Sequence, residues 1–195
     1  MARKAGINAA EAIIKRYNNK RHTYLTKRFD RTIDGRRIHF SSAMTLLGYT
    51  DGDGAEDGVS YLELAQFIVK NGARPKEDLA ELFRRIVFSV AVSNTDDHLR
   101  NHGFLLTRQG WVLSPAYDVN PNPYGTGLKL NISEDDNSVD FDLALSVAPY
   151  FRLQVKEAAD IVGNIKASAS KWEEVASKYH IPKPEREMMS AAFSG

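Results

Sequence analysis

The sequence predicts an α+β fold that is mostly helical, with a small β-hairpin ahead of a larger helical body. Two short segments rich in β-branched and aromatic residues lie near the start of the chain. Beyond position 60, most apolar residues recur at three- and four-residue spacing, which places them on one face of a helix. There is no internal repeat and no low-complexity segment, so this order describes the whole chain.

The 195-residue chain is long enough to bury a sizeable core, and its composition is that of a globular protein. Its net charge is +1, from 26 Lys and Arg against 25 Asp and Glu, which gives no support for direct nucleic-acid binding. The absence of cysteine excludes disulfides, thiol catalysis and cysteine-bound zinc. No stretch approaches the ~20 apolar residues of a membrane span, so we expect a cytoplasmic protein without membrane contact.

Residues 11–17 and 22–29 are predicted to form the two strands of the hairpin. Asn18-Asn19 fits the turn between them, because Asn tolerates the positive φ that tight turns require. A lone hairpin is marginally stable in water, so this one is expected to lean on the rest of the chain or on strands from elsewhere. Residues 30–58 are predicted to be loop, with Asp51-Gly52-Asp53-Gly54 as turn residues.

The helical body is predicted to begin at residues 60–69. A second helix starts at Pro75, because proline is favoured at a first helical position, and its apolar face continues to Val90. A short hairpin over residues 103–106 and 111–113 and an irregular stretch over 114–138 should follow. Further helices are predicted at 139–148, 153–168 and 171–179, with a final short helix after Pro184.

The side chains with catalytic potential lie in the polar run at 94–101 and at Tyr117-Asp118. Because the hairpin between them returns the chain to its starting point, we expect Asp118 to lie close to Asn101. Carboxylate and amide oxygens brought together in this way suit Mg²⁺. Asp96 and Asn101 are five residues apart, as are the catalytic Asp and the metal-binding Asn of protein kinases, in which another metal-binding Asp follows a short hairpin.

The same residues also fit a purely structural explanation. Asp and Asn commonly cap helices and form turns, and Asp118 could form a turn before Asn120-Pro121. A histidine such as His98 is more often a structural hydrogen-bonding group than a catalytic base. Spacing alone therefore leaves both phosphoryl transfer and a structural role open.

Four separated motifs carry a resemblance to a known family. Residues 95–101, Thr-Asp-Asp-His-Leu-Arg-Asn, and residues 115–118, Pro-Ala-Tyr-Asp, resemble the signature of HipA-like serine/threonine protein kinases. That signature runs Thr-Asp-x-His-x-x-Asn and then Pro-x-Tyr-Asp. Residues 28–31, Arg-Phe-Asp-Arg, resemble the hinge of the family, and residues 5–7, Ala-Gly-Ile, resemble the sequence entering the preceding strands. The likeness covers nearly the whole chain in the right order.

The resemblance implies a protein-kinase-like large lobe at residues 31–195, with residues 1–30 as a remnant of the small lobe and the hinge. It implies Asp96 as the catalytic base, and Asn101 and Asp118 as ligands of Mg²⁺. Contacts to ATP are implied for Lys27, Arg28, Phe29, His98, Leu99, Arg100, Asn101, Tyr117 and Asp118. Asp97 stands where the best-known members have a small residue, and the sequence assigns it no role.

The implied reaction is transfer of the ATP γ-phosphate to a hydroxyl of a protein substrate, by the toxin of a toxin–antitoxin system with a DNA-binding antitoxin partner. Only 26 residues precede Lys27, and they hold no Gly-rich loop and no lysine in the expected place. Because positioning supplies most of phosphoryl-transfer catalysis, the chain alone is expected to have little activity. A separate chain could supply the small lobe.

Two other functions stay open. A non-catalytic module could use a kinase-like body to dock an antitoxin or another protein, although such a module has no need of Asp96, Asn101 and Asp118. A metal-dependent phosphoesterase could use the same carboxylates, but the remaining histidines are scattered along the chain.

Overall fold

A computed structural model describes residues 1–17 and 22–193, and these form the mostly helical α+β structure that the sequence predicts. The strands are β1 (Ala12–Arg16), β2 (His22–Thr26), β3 (Phe40–Ser42), β4 (Gly103–Thr107) and β5 (Gly110–Leu113). The helices are α1 (Ala43–Leu47), α2 (Tyr61–Asn71), α3 (Pro75–Ala91), α4 (Phe141–Ser146), α5 (Val155–Ala169), α6 (Trp172–Lys178) and α7 (Lys183–Met189). None of the helices in the described ranges is both long and apolar enough to cross a membrane.

β1 and β2 form the predicted antiparallel pair, with Ile13 opposite Leu25 and Ile14 opposite Tyr24. Every residue of both strands is exposed. β2 ends earlier than predicted, because the chain leaves the sheet and Phe29 packs against aromatic rings of the helical body. The predicted turn at Asn18-Asn19 lies outside the described residues.

A second sheet has the order β3-β4-β5, all antiparallel. The β4–β5 hairpin is the one predicted, but β3 and α1 occupy part of a segment that was predicted to be loop. That prediction is wrong over residues 40–47 because β3 has only three residues, too few for an alternating pattern to show. Ser42 both ends β3 and caps α1, since its side chain accepts a hydrogen bond from the Thr45 amide.

The core of the helical body is built on α3, which packs against α2 and α5. Its predicted apolar face is buried, with Leu79, Leu82, Phe83 and Ile86 fully inaccessible to solvent. Phe83 meets Phe151 with ring centroids 5.5 Å apart. The predicted helices correspond to α4, α5, α6 and α7, and residues 114–138 contain no helix or strand, as predicted. The first residues of the chain pack against α5, and Ile7 is buried.

Candidate functional site

One face of α3 carries buried polar side chains that reach the chain segments around the predicted site. The Asp78 carboxylate accepts the amide of Leu113 at 2.9 Å, where β5 ends. The Arg85 guanidinium donates to the carbonyl of Ser114 at 2.5 Å and pairs with Glu81 at 3.1 Å. Buried polar groups keep their positions because an unmade hydrogen bond there is costly. α3 therefore fixes where the chain leaves β5 toward Tyr117-Asp118.

Residues 94–101, the predicted catalytic loop, fold back on the backbone of Asp96. The carbonyl of Asp96 accepts the side-chain amide of Asn101 at 3.0 Å and the backbone amide of His98 at 2.9 Å. A 3-10 turn (Leu99–Asn101) completes the loop. Asp96 is exposed and Asn101 is buried. Because the Asn101 side-chain nitrogen is committed to this carbonyl, its amide oxygen is the atom left for a metal ion.

Tyr117 ties the segment after the hairpin to this loop. Its hydroxyl donates to the carbonyl of Arg100 at 2.6 Å, and it lines the same small cavity as Asn101. The next residue, Asp118, has a left-handed backbone with φ of 55°, and its carboxylate accepts the Asn120 side-chain amide at 2.7 Å. Tyr117 thus joins the segment after the hairpin to the catalytic loop.

The donor set fits Mg²⁺ that is held together with a nucleotide. Asp118 offers one carboxylate and Asn101 one amide oxygen, whereas Mg²⁺ commonly takes one or two carboxylates together with waters and substrate phosphates. Across residues 1–17 and 22–193, no group of three or more His, Cys, Asp and Glu side chains is arranged to hold a metal ion. Asn101 and Asp118 would therefore supply part of a Mg²⁺ coordination shell, which waters and substrate phosphates would complete.

The hinge residues and Tyr117 surround an apolar cavity of about 330 Å³, lined by residues 26–30, Phe40 and Tyr117. The ring of Phe29 lies 5.6 Å from that of Tyr117 and 5.9 Å from that of Phe40, centroid to centroid. Two of the lining residues, Arg28 and Asp30, pair with each other through hydrogen bonds of 2.8 and 2.5 Å. These bonds and the charge of Arg28 lower the pKa of Asp30, which keeps the pair ionised.

Lys27, Arg28 and Phe29 also line a cavity of about 510 Å³ on the side of residues 7–11. Lys27 is fixed there by its amide, which donates to the carbonyl of Glu11 at 2.8 Å. Its ammonium lies 3.7 Å from the Glu11 carboxylate. The hinge therefore forms a wall shared by two cavities.

Asp96 faces a separate cavity of about 190 Å³, lined by Met44, Thr50, Asp51, Gly52, Asp53, Asp96, His98, Leu99, Arg100 and Lys129. Arg100 pairs with Asp51 at 2.5 Å, and the Lys129 ammonium donates to the carbonyl of Gly52 at 2.8 Å. The Nδ1 atom of His98 is buried without a hydrogen-bond partner. Arg100 thus ties the loop at 50–53 to the catalytic loop, and Lys129 binds the same loop from residues 114–138.

Most of the predicted site residues line one of two cavities, which the hydrogen bond between Tyr117 and Arg100 connects. Asn101 lines instead the small cavity beside Tyr117, and Asp118 borders neither of the two. Lys27, Arg28, Phe29 and Tyr117 lie on the hinge side, while Asp96, His98, Leu99 and Arg100 lie on the other. Sequence reasoning missed Lys129 and the loop at 50–53 as parts of the site. The only signal in the sequence is the Asp-Gly-Asp-Gly run at residues 51–54, which predicts a turn and indicates no site.

Asp97, to which the sequence assigns no role, is the most buried carboxylate of the catalytic loop, at 5% exposure. It accepts the hydroxyls of Tyr61 at 2.7 Å and Ser89 at 3.1 Å. The Nε2 atom of His102 lies 3.1 Å from its other oxygen, within ion-pair distance but outside hydrogen-bond geometry. Burial alone raises the pKa of Asp97, but the His102 contact and the two hydroxyls outweigh burial and lower it.

Residues 1–172 match the family model described as the HipA-like C-terminal domain. The chain belongs to this family. The match takes in the hinge segment and both motifs of the candidate site, so the resemblance of residues 28–31, 95–101 and 115–118 is confirmed as family membership.

Curated relatives of this HipA-like chain are named as kinases. A Haemophilus influenzae protein named "Putative kinase" is 32% identical over 114 residues, which are 55% of this chain and 33% of that protein. "Putative kinase Y4dM" of Sinorhizobium fredii is 35% identical over 94 residues, 48% of this chain and 22% of that protein. The chain therefore spans a third or less of the length of these relatives.

Two solved structures share the fold. HipA of Shewanella oneidensis, solved with HipB and its operator DNA, superposes with a TM-score of 0.76 at 19% identity, covering 99% of this chain and 51% of HipA. The Helicobacter pylori proinflammatory kinase CtkA gives a TM-score of 0.52 at 12% identity, covering 87% of this chain and 79% of CtkA. The fold of the chain is therefore kinase-like.

Proposed function

We propose that this HipA-like chain carries the catalytic lobe of a serine/threonine protein kinase that uses ATP and Mg²⁺. The observation that carries the proposal is the position of Tyr117. Its ring lines the apolar hinge cavity, while its hydroxyl binds the catalytic loop at the carbonyl of Arg100. One side chain thereby links a cavity suited to an aromatic base with the loop that presents Asp96.

The adenine of ATP would lie in the hinge cavity among the rings of Phe29, Phe40 and Tyr117, since stacking and burial favour a flat aromatic ring there. Hinge backbone groups would hydrogen-bond to the base. Because the Lys27 amide is already bonded to the carbonyl of Glu11, Arg28 and Phe29 are the hinge residues that could supply these groups.

Asn101 and Asp118 would hold Mg²⁺, which when bound neutralises charge on the phosphates. Asp96 is exposed toward the 190 Å³ cavity, where the acceptor hydroxyl of a protein substrate would enter. As the hydroxyl oxygen attacks the γ-phosphorus, its proton passes to the Asp96 carboxylate and ADP leaves. His98 and Arg100 border the same cavity and would orient the groups that react.

We also propose partners for the whole protein, of which this chain covers a part. The Shewanella HipA structure contains HipB and operator DNA, and by analogy a DNA-binding antitoxin would restrain this cytoplasmic toxin. β1 and β2 expose Ile13, Ile14 and Tyr24, each at 47% or more. Exposed apolar groups on an isolated strand pair favour a covering partner, which a separate small-lobe chain would supply. Residues 1–30 would then belong to the small lobe and the hinge.

A thermal-shift titration with Mg²⁺-ATP tests the proposal on the chain as it exists. A ligand that binds only the folded state raises the melting temperature by mass action. We expect a Mg²⁺-dependent rise for the wild-type chain and none for Asp118→Ala. Asp160→Ala, which removes an exposed carboxylate on α5, is the control and should behave as wild type. Absence of a rise at millimolar nucleotide would contradict the proposal.

A non-catalytic docking module is the second candidate, and the exposure of β1 and β2 favours it. A docking module would bind its partner over the exposed β1–β2 strand pair and would not need a nucleotide. A chain that binds no Mg²⁺-ATP, yet loses partner binding when Ile14 and Tyr24 are both changed to Ser, would support this alternative over the kinase.

A further inference from the structure

We propose that Asp97 is a positioning residue that anchors the catalytic loop from inside the core and so sets the placement of Asp96 and Asn101. Its effect on phosphoryl transfer rests on the proposed function, whereas the anchoring itself does not. Asp97 is adjacent to the proposed base but faces in the opposite direction, since Asp96 is exposed and Asp97 is buried.

The partners of Asp97 come from three separate parts of the fold. Tyr61 begins α2, Ser89 lies in the last turns of α3, and His102 directly precedes β4. The pKa of Tyr61 is raised well above its usual value, chiefly by burial and then by Asp97, so the phenol stays a neutral donor. A single ionised carboxylate thus gathers α2, α3 and the start of β4 around the catalytic loop.

Asp97 can affect the site only by positioning the backbone of the catalytic loop, because no ligand can reach it. The cavity that borders it, shared with Arg85, Asn101 and Tyr117, has a volume of about 10 Å³. That is room for roughly one water molecule and excludes a nucleotide or a phosphate. Asp97 therefore cannot touch substrate in this arrangement.

Asp97 is connected to the proposed reacting groups through a single peptide bond, the one that joins it to Asp96. The carbonyl of the preceding residue, Asp96, accepts both the His98 amide and the Asn101 side chain. If the anchor at Asp97 loosens, the peptide that carries this carbonyl moves, and the Asp96 carboxylate and the Asn101 amide move with it. A misplacement of about 1 Å can cost roughly 100-fold in rate, so an anchor of this kind has a catalytic consequence.

Hydrogen exchange tests the anchor without requiring activity. Asp97→Asn keeps the size of the side chain but removes the charge and one acceptor. We expect exchange of the His98 and Asn101 amides to accelerate by about tenfold or more relative to the amides of α5. Asp140→Asn is the control: it changes the carboxylate that caps α4 at the Leu143 amide and should not accelerate these two amides selectively.

Tyr61→Phe supplies a second variant should Asp97→Asn not fold. It removes one of the contacts with almost no change in volume, and a smaller acceleration at the same two amides is expected. Uniform acceleration over the whole chain in both variants, or unchanged exchange at His98 and Asn101, would overturn the proposal.

Nucleotide binding separates this proposal from the proposed function. Adenosine can use the hinge cavity alone, whereas Mg²⁺-ATP also needs Asn101 and Asp118. In Asp97→Asn we expect the adenosine-induced melting shift to persist and the additional shift from Mg²⁺-ATP to fall. If Asp97→Asn loses both the adenosine shift and the Mg²⁺-ATP shift, or keeps both unchanged, the positioning role of Asp97 is contradicted. If the wild-type chain binds neither ligand, the kinase proposal fails and the exchange result alone decides the anchor.

Discussion

The two regions that meet at the hinge differ in how they are held. The strand pair β1–β2 has every residue exposed, whereas the catalytic loop is tied to α2, α3 and the start of β4 through the buried Asp97. The strand pair relies on backbone bonds between its own two strands. The catalytic loop has side-chain bonds to partners from elsewhere in the core.

The helical body can therefore organise the catalytic loop by itself, whereas the strand pair β1–β2 needs a further protein surface to cover it. The helical body holds Asp96 and Asn101 beside the buried Asp97, whose hydrogen bonds to Tyr61 and Ser89 restrict the conformation of the loop. The strand pair leaves apolar residues in solvent, so its stability depends on what packs on it. Pre-organisation of the proposed base and metal ligands therefore lies in the helical body.

The largest expected effect comes from removing a core ring on α3. Phe83 is fully buried against Phe151, so Phe83→Ala should lower the free energy of unfolding by about 3–5 kcal/mol. Tyr24→Ala, which removes a ring exposed at 64%, should change it by less than about 0.5 kcal/mol. Urea denaturation measures both. Equal decreases in the free energy of unfolding for the two variants would contradict the proposed difference between the helical body and the β1–β2 strand pair.

A smaller effect, with a defined pH dependence, is expected at Asp97. Its pKa is lowered in the folded state, so its stabilising contribution is complete above the unfolded pKa of about 3.9 and is lost as the pH falls through that value toward the folded pKa. Asp97→Asn should cost about 1–3 kcal/mol near pH 6, and the difference from wild type should shrink below about pH 4.

The groups that face Asp97 are Tyr61, Ser89, His102 and Arg85, and all four are retained in both proteins of that comparison. Unfolding by urea at several pH values between 6 and 3 measures the difference. A gap between the two proteins that stays constant across this range would show that the Asp97 charge contributes nothing.

The smallest effect is expected from the link between hinge and loop. Tyr117→Phe removes the hydrogen bond to the Arg100 carbonyl but keeps the ring beside Phe29, and should cost about 1 kcal/mol. Tyr124→Phe, at an exposed ring, is the control and should be neutral. Differential scanning calorimetry can compare them. A neutral Tyr117→Phe would mean that the hinge cavity and the catalytic loop are not coupled through this residue.

Local patterns predicted much of this fold. The apolar spacing along α3, the proline at its first position and the two antiparallel strand pairs β1–β2 and β4–β5 are properties of short segments, and each is confirmed. β3 was missed because a three-residue strand is defined by its partner, β4, more than 60 positions later in the chain.

For the candidate site, the sequence motif indicated neighbours that are close in the chain, such as Asp96 and Asn101, which a hydrogen bond joins. The site was not predictable where partners come from distant segments. Tyr61 and Asp97 are 36 positions apart, and Gly52 and Lys129 are 77 apart. No local sequence pattern predicts such pairs, because only the packing of the whole helical body brings them together.

The measurement that tests the central claim most directly is calorimetric titration of the chain with ATP, with and without Mg²⁺, for wild type and Asn101→Ala. The account predicts saturable binding that weakens about tenfold or more when either Mg²⁺ or the Asn101 amide is removed, and no further weakening when both are removed. Absence of saturable heat, or binding indifferent to Mg²⁺ and to Asn101, would contradict a nucleotide–metal site on this lobe.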